Sequence, residues 1–121
     1  MNATQATPMT PSPAPPHVKQ ITAAQLQNLR SAGTVLHLMD VRTSEERAIA
    51  CIEGARHLTQ QAVLDLQALP RDTPLVFQCH HGIRSQAAAQ HFLGLGFTDV
   101  SNLVGGIEAW SLEVDPTVPR Y

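Results

Sequence analysis

Leu75-Val-Phe-Gln-Cys79-His-His-Gly82-Ile-Arg84-Ser85-Gln-Ala-Ala-Ala-Gln-His-Phe-Leu-Gly94 is the stretch on which the architecture turns. Leu75, Val76 and Phe77 form a short apolar run after the turn signal Arg71-Asp-Thr-Pro74, the pattern of a strand buried on both faces. From Ser85 onward the apolar residues recur at helical spacing, with Ala88, Phe92 and Leu95 on one face and Ala89 and Leu93 beside them. The stretch therefore reads strand, tight loop, helix, and Cys79 stands at the turn.

A cysteine at the carboxyl end of a buried strand, just ahead of a helix, meets backbone N–H groups that lack an intrahelical partner. It also meets the positive end of the helix dipole. Gly82 lets the loop curl so that successive amides point inward as an anion-binding nest, and Arg84 adds a permanent positive charge. Such surroundings favour thiolate over thiol, with pKa values of ~3.5–7.5 typical of cysteines activated in this way. Cys79 taken alone reads more simply as a small buried hydrophobe. His80, His81, Gly82 and Arg84, all close behind it, favour a nucleophile for covalent catalysis.

At 121 residues the chain has room for one domain with a sizeable core. Eight Lys and Arg against ten Asp and Glu give a net charge of −2, with no basic run or aromatic-interleaved patch, so no nucleic-acid partner is expected. Two cysteines far apart make no disulfide framework and fit a reducing compartment, with the cytoplasm as the expected location. No apolar run approaches the ~20 residues of a membrane span. The N-terminus carries no charged segment followed by an apolar core, so neither a signal nor a membrane partner is expected. A monomer is expected.

Met1 to about Pro16 is rich in Pro, Thr and Ala and is expected to be a disordered tail, leaving 17–121 as the folded domain. Thr22 and Gln25 have capping-box spacing, with Ile21 and Leu26 placed as a hydrophobic staple. That helix should bury Leu26 and Leu29 and stop at Gly33. Thr34 to Val41 reads as a second buried strand ending in Asp40, and Thr43 with Glu46 opens a short helix to about Ala50. A brief strand near Leu58 precedes a helix capped by Thr59, with Ala62, Leu66 and Leu69 inward and Pro70 ending it. Asp99 to Leu103 is a last strand, and Gly105-Gly106 leads into a helical turn holding Trp110.

Strands alternating with helices predict an α/β fold: a central, mostly parallel sheet of about five short strands with helices on both faces. Ligands bind such sheets at the strand carboxyl ends, where Cys79 and Asp40 both fall.

The loop runs Cys-x4-Arg from Cys79 to Arg84, one residue shorter than the Cys-x5-Arg cradle of cysteine-dependent phosphatases. A tighter ring suits one extra sulfur on Cys79 better than a phosphate. Here the chain resembles the rhodanese (sulfurtransferase) family. The match lies in Cys79-His-His-Gly82-Ile-Arg84-Ser85, Gly96-Phe97, and Asn102-Leu103-x-Gly105-Gly106-Ile107-x-Ala109-Trp110. It extends to Asp40-Val41-Arg42, Glu45-Glu46 and Ile52-x-Gly54-Ala55, roughly Ile21 to Trp110 in all. The family's usual Gly-His is replaced by Ala50-Cys51, and its Pro by Glu53. Residues 114–121 are similar to the tail of rhodanese domains fused to adenylyltransferases that feed ubiquitin-like carriers.

The resemblance implies a rhodanese-like fold and a sulfurtransferase with Cys79 as persulfide-carrying nucleophile. His80, His81, Gly82, Ile83, Arg84 and Ser85 would bind substrate, while Asp40, Arg42, Gly105 and Gly106 support the site. The partners implied are a small sulfane-sulfur donor (thiosulfate or polysulfide) or a persulfide-donor protein, and a sulfur carrier as a further acceptor. Loops in the family that favour thiosulfate often carry more fixed positive charge, which implies modest thiosulfate activity. The other function class is a rhodanese-shaped regulatory or carrier-binding module, a class that commonly lacks the cysteine present here.

Adjacent His80 and His81 lack tetrahedral metal spacing, and no metal or cofactor is expected. Gly105-Gly106 lacks the Lys-Ser/Thr of a phosphate loop and reads as a close backbone approach to the active loop. Asp40 and Arg42 read as a buried pair satisfying strand-end groups, Cys51 as a partly buried thiol, and Trp110 as core.

Overall fold

The computed structural model describes residues 16–121, and all of the expected tail but Pro16 lies outside them. In chain order the elements are β1 (Lys19–Ile21), α1 (Ala23–Ser31), β2 (His37–Asp40), α2 (Ser44–Ile49), β3 (Arg56–His57), α3 (Gln60–Gln67), β4 (Leu75–Gln78), α4 (Ile83–Gly94), β5 (Val100–Leu103) and α5 (Gly106–Glu113).

The strands form one sheet in the order β1-β5-β4-β2-β3. Every pairing is parallel, so the expected "mostly parallel" sheet is wholly so. Successive connections move β2 to β3 toward one edge and β4 to β5 toward the other. The crevice between β2 and β4 is therefore the switch point at which such sheets bind ligands. Cys79 and Asp40 flank it.

Alternation along the strands builds two cores. Met39, Leu75, Phe77 and Val100 face α3 and α4 through Ala62, Leu66, Ala89 and Phe92. Leu38, Val76 and Leu103 face α1 and α5 through Ala23, Leu26, Ile107 and Trp110. β4 is buried along its whole length, as its apolar run requires.

Three helices start on threonine. Thr22 and Thr43 each accept from the amide three residues on, at 3.1 Å, while Gln25 and Glu46 return the bond to the threonine N–H. Thr59 accepts from Ala62 N–H at 3.1 Å. The starts of α4 and α5 differ: Gly82 and Gly105 stand there and offer no side-chain cap.

Two packing expectations are corrected. Leu29 is exposed, because α1 turns Ala23 and Leu26 inward and leaves Leu29 at the rim. In α4 the buried stripe is Ser85, Ala89 and Phe92, with Leu95 exposed, because α4 is set by its first turn against Cys79. β1 lies in polar Lys19-Gln20-Ile21, pairs only with β5, and is an edge strand without the apolar pattern that marks a central one. Among the described residues no helix is long and apolar enough to cross a membrane.

Candidate active site

Cys79 follows β4 directly and is 1% exposed. Its Sγ accepts the N–H of Gly82 at 3.1 Å and that of Ser85 at 3.4 Å, and lies 3.3 Å from the Ser85 hydroxyl. Burial pushes the thiol pKa up. The Ser85 hydroxyl and the amides of Ser85, Gly82 and His81 outweigh it, leaving the pKa below the ordinary 9.0.

Gly82 allows this geometry. Its φ of +102° belongs to the left-handed region, and a Cβ there would sit 3.2 Å from the Leu103 carbonyl oxygen. Ile83 and Arg84, in the first turn of α4, keep amides with no intrahelical acceptor.

α5 braces the loop from the other side. Ile107 N–H donates to the Cys79 carbonyl at 2.8 Å, and Glu108 N–H to that of His80 at 3.2 Å. Gly106, at φ +60°, passes so near that a Cβ would land on the carbonyl oxygens of Cys79 and His80. The close approach expected of Gly105-Gly106 is therefore present.

The sequence pattern gives Asn102 no role of its own, and the fold makes it the tie that holds the loop together. Its Oδ1 accepts from the Ser85 hydroxyl at 2.6 Å, and its amide donates to the Gly82 carbonyl at 3.2 Å and to Gln20 at 3.0 Å. Ser85 has one hydroxyl proton, so it chooses between Asn102 and the sulfur; a thiolate draws it toward sulfur. A buried amide at a strand carboxyl end was the signal available for Asn102.

Across the switch point, Asp40 and Arg42 form the expected buried pair. Arg42 donates Nε to Oδ1 at 3.0 Å and Nη2 to Oδ2 at 2.7 Å, and the Arg42 N–H reaches Oδ1 at 3.0 Å. Nη2 also reaches the Ala50 carbonyl at 2.7 Å and Nη1 that of Glu46 at 3.3 Å, tying the end of α2 to the pair. Burial alone would raise the Asp40 pKa, but hydrogen bonds and charge from Arg42, with Arg47 at 2.7 Å, hold it below the ordinary value. His57 places Nε2 2.8 Å from the Arg42 carbonyl oxygen.

Arg84 departs from expectation. Its fork is already taken by Glu46, Nη1 to Oε1 at 2.6 Å and Nη2 to Oε2 at 2.9 Å, because α2 brings its first turn beside the loop. His80 is stacked between His81 and Tyr121, with ring centroids 3.9 Å from each, and its buried Nε2 has no partner. Ile83 turns its side chain into solvent, so it contributes backbone alone to the ring. Both cysteines are free, and the partly buried Cys51 donates its thiol to the Arg47 carbonyl at 3.1 Å. Among the described residues no group of three His, Cys, Asp or Glu side chains is gathered as metal ligands would be.

The pattern of the family described as Rhodanese-like domain matches residues 22–113. A protein of Ectopseudomonas mendocina named thiosulfate sulfurtransferase GlpE is 40% identical over 93 residues, 76% of this chain and 84% of its own. Among solved structures, a rhodanese-like domain protein from Staphylococcus aureus superposes with a TM-score of 0.68 at 27% identity, covering 86% of this chain and 99% of that one. A Rhodopseudomonas palustris protein described as of unknown function, possible tyrosine phosphatase, gives 0.66 at 25% identity, covering 86% and 85%.

Proposed function

The chain belongs to the rhodanese-like domain family, and from that premise we propose that it is a sulfurtransferase carrying sulfur as a persulfide on Cys79. The observation that carries this reading is the sulfur's own coordination. Sγ sits at the head of α4 with two amides and a hydroxyl within 3.4 Å, an environment that stabilises negative charge on sulfur.

The thiolate attacks the outer sulfur of a sulfane donor. A new S–S bond forms on Cys79, the donor's bond to that sulfur breaks, and the electron pair leaves on sulfite when the donor is thiosulfate. With a protein persulfide or polysulfide it leaves on a thiolate. An acceptor nucleophile (cyanide in an assay, a thiol or a sulfur carrier otherwise) then takes the outer sulfur and restores the Cys79 thiolate.

The ring of Gly82, Ile83, Arg84 and Ser85 holds the outer sulfur through backbone amides and the Ser85 hydroxyl. His80 and His81 add donors at the rim. Asp40, Arg42, Gly105 and Gly106 hold the strand ends and the loop in place. Two free thiols suit a reducing compartment such as the cytoplasm.

Intact mass after exposure to thiosulfate tests the reading: the protein should gain one sulfur atom, released by cyanide, and Cys79→Ser should gain none. Double-reciprocal plots should be parallel. Hydrolysis of aryl phosphates should be negligible, because the short ring cannot surround a phosphoryl group with donors. Appreciable phosphatase activity would refute the argument from loop length.

A further inference from the structure

Residues 114–121 return across the carboxyl ends of the strands. The segment is anchored by Val114 and Asp115 amides on the Trp110 carbonyl at 2.9 Å, by the Ser111 hydroxyl on the Val118 carbonyl at 2.6 Å, and by the Arg120–Glu108 pair at 2.8 Å. It delivers Tyr121 onto the loop. The ring lies nearly parallel to His80, at 12° and 3.9 Å, and the hydroxyl donates to Glu46 Oε2 at 2.7 Å while accepting Arg42 Nη1 at 3.0 Å.

Glu46 is therefore held from several sides. Its carboxylate takes both arms of Arg84, the Tyr121 hydroxyl, and the N–H and hydroxyl of Thr43. The Arg84 contact is the foremost cause that drives its pKa far below the carboxylate range, so it stays ionised. Arg84 is the only Lys or Arg between Cys79 and Ser85. The hydrogen bonds to Glu46 are what chiefly raise the Arg84 pKa, and the charge of the nearby Cys79 thiolate adds to it. An arginine bound on both arms by a carboxylate has no fork free for a sulfonate, and its charge is offset.

We propose that Glu46, locked by Tyr121, is a donor-specificity residue: by engaging Arg84 it withdraws the loop's permanent cation from anion recognition and biases the site toward sulfane donors less negative than thiosulfate. The inference rests on Cys79 as the sulfur-accepting nucleophile. Two donors of like chemistry isolate charge. Thiosulfate is a dianion that releases sulfite, and methanethiosulfonate is a monoanion that releases methanesulfinate; each transfers one sulfur to the thiolate.

The variants are Glu46→Gln, which keeps a side chain able to complete the capping box, and Tyr121→Phe, which removes only the hydroxyl. Glu46→Gln should raise kcat/KM for thiosulfate relative to methanethiosulfonate about threefold or more, through KM, as freeing one charge near the site implies. Tyr121→Phe should move the ratio the same way by less.

A readout independent of turnover is alkylation of Cys79, followed by peptide mass. The rate ratio of anionic iodoacetate to neutral iodoacetamide should rise in Glu46→Gln by a similar factor. Equal losses with both donors and both reagents would mean that Glu46 only supports the loop, and unchanged ratios would mean that it does not set the local charge; either overturns the proposal. A rise in Glu46→Gln with none in Tyr121→Phe removes the lock from it. Wild-type protein that takes sulfur from neither donor defeats the sulfurtransferase reading, while the alkylation ratio still decides the role of Glu46.

Discussion

The helices of this protein begin in two ways. α1, α2 and α3 open on Thr22, Thr43 and Thr59, whose hydroxyls take up an amide of the first turn. α4 and α5 open on Gly82 and Gly105, and their first amides go elsewhere: those of α4 to the Cys79 sulfur, those of α5 to the carbonyls of Cys79 and His80. A capped helix start is locally complete and serves stability. An uncapped one leaves donors for other partners, and here both sets are spent on the loop that carries Cys79. The contrast separates scaffold from site without reference to any relative.

The sharpest test of that contrast removes the sulfur on which α4's donors converge. Cys79→Ser should lose sulfur transfer by a factor on the order of 1000 or more, since a serine hydroxyl forms no persulfide. Thiosulfate–cyanide turnover by the variant above that level would contradict the assignment.

Next is the contact between α5 and the loop. Gly106→Ala places a methyl against two carbonyl oxygens at a positive φ, so the loop must move. A displacement of an ångström costs on the order of 100-fold in a positioned reaction. The variant should show that loss in kcat together with a lowered melting temperature. Normal kcat would mean that α5 does not set the loop.

Ser85→Ala removes the one side-chain donor at the sulfur and leaves the backbone amides. The Cys79 pKa is depressed, so alkylation rises with pH through that value and levels off once the thiolate is full. Without the hydroxyl the pKa moves back up and the acid limb shifts to higher pH. On that acid limb the rate at a given pH should fall a few-fold, the scale of one hydrogen bond. An unshifted limb would assign the depression to the amides alone.

The smallest effect belongs to a capped helix. Thr59→Ala should lower stability by about 1 kcal/mol in denaturant unfolding. Its kcat/KM per folded molecule should match wild type, and a large activity loss would erase the distinction between the two kinds of helix start.

Much of this is set by residue order alone. The threonine caps lie within one turn of the groups they bind, the β4 run is apolar over consecutive residues, and Cys79, Gly82 and Ser85 belong to one loop. Such signals depend on neighbours in the chain, so the α/β class, the helix starts and the placing of Cys79 at the strand-to-helix turn were legible in residue order. The pairing of Asp40 with Arg42 was legible for the same reason.

What the tertiary structure decided lies between distant residues. Ser85 meets Asn102 across 17 positions, Arg84 meets Glu46 across 38, and Glu46 meets Tyr121 across 75. Periodicity and spacing carry no information over such separations. The strand order brings β2 and β4 side by side, sets α2 against the Cys79 loop, and leaves room for residues 114–121 to cross above it. Arg84 could therefore be identified as a cation from sequence, while its neutralisation by Glu46 follows only from the order in which the sheet is assembled.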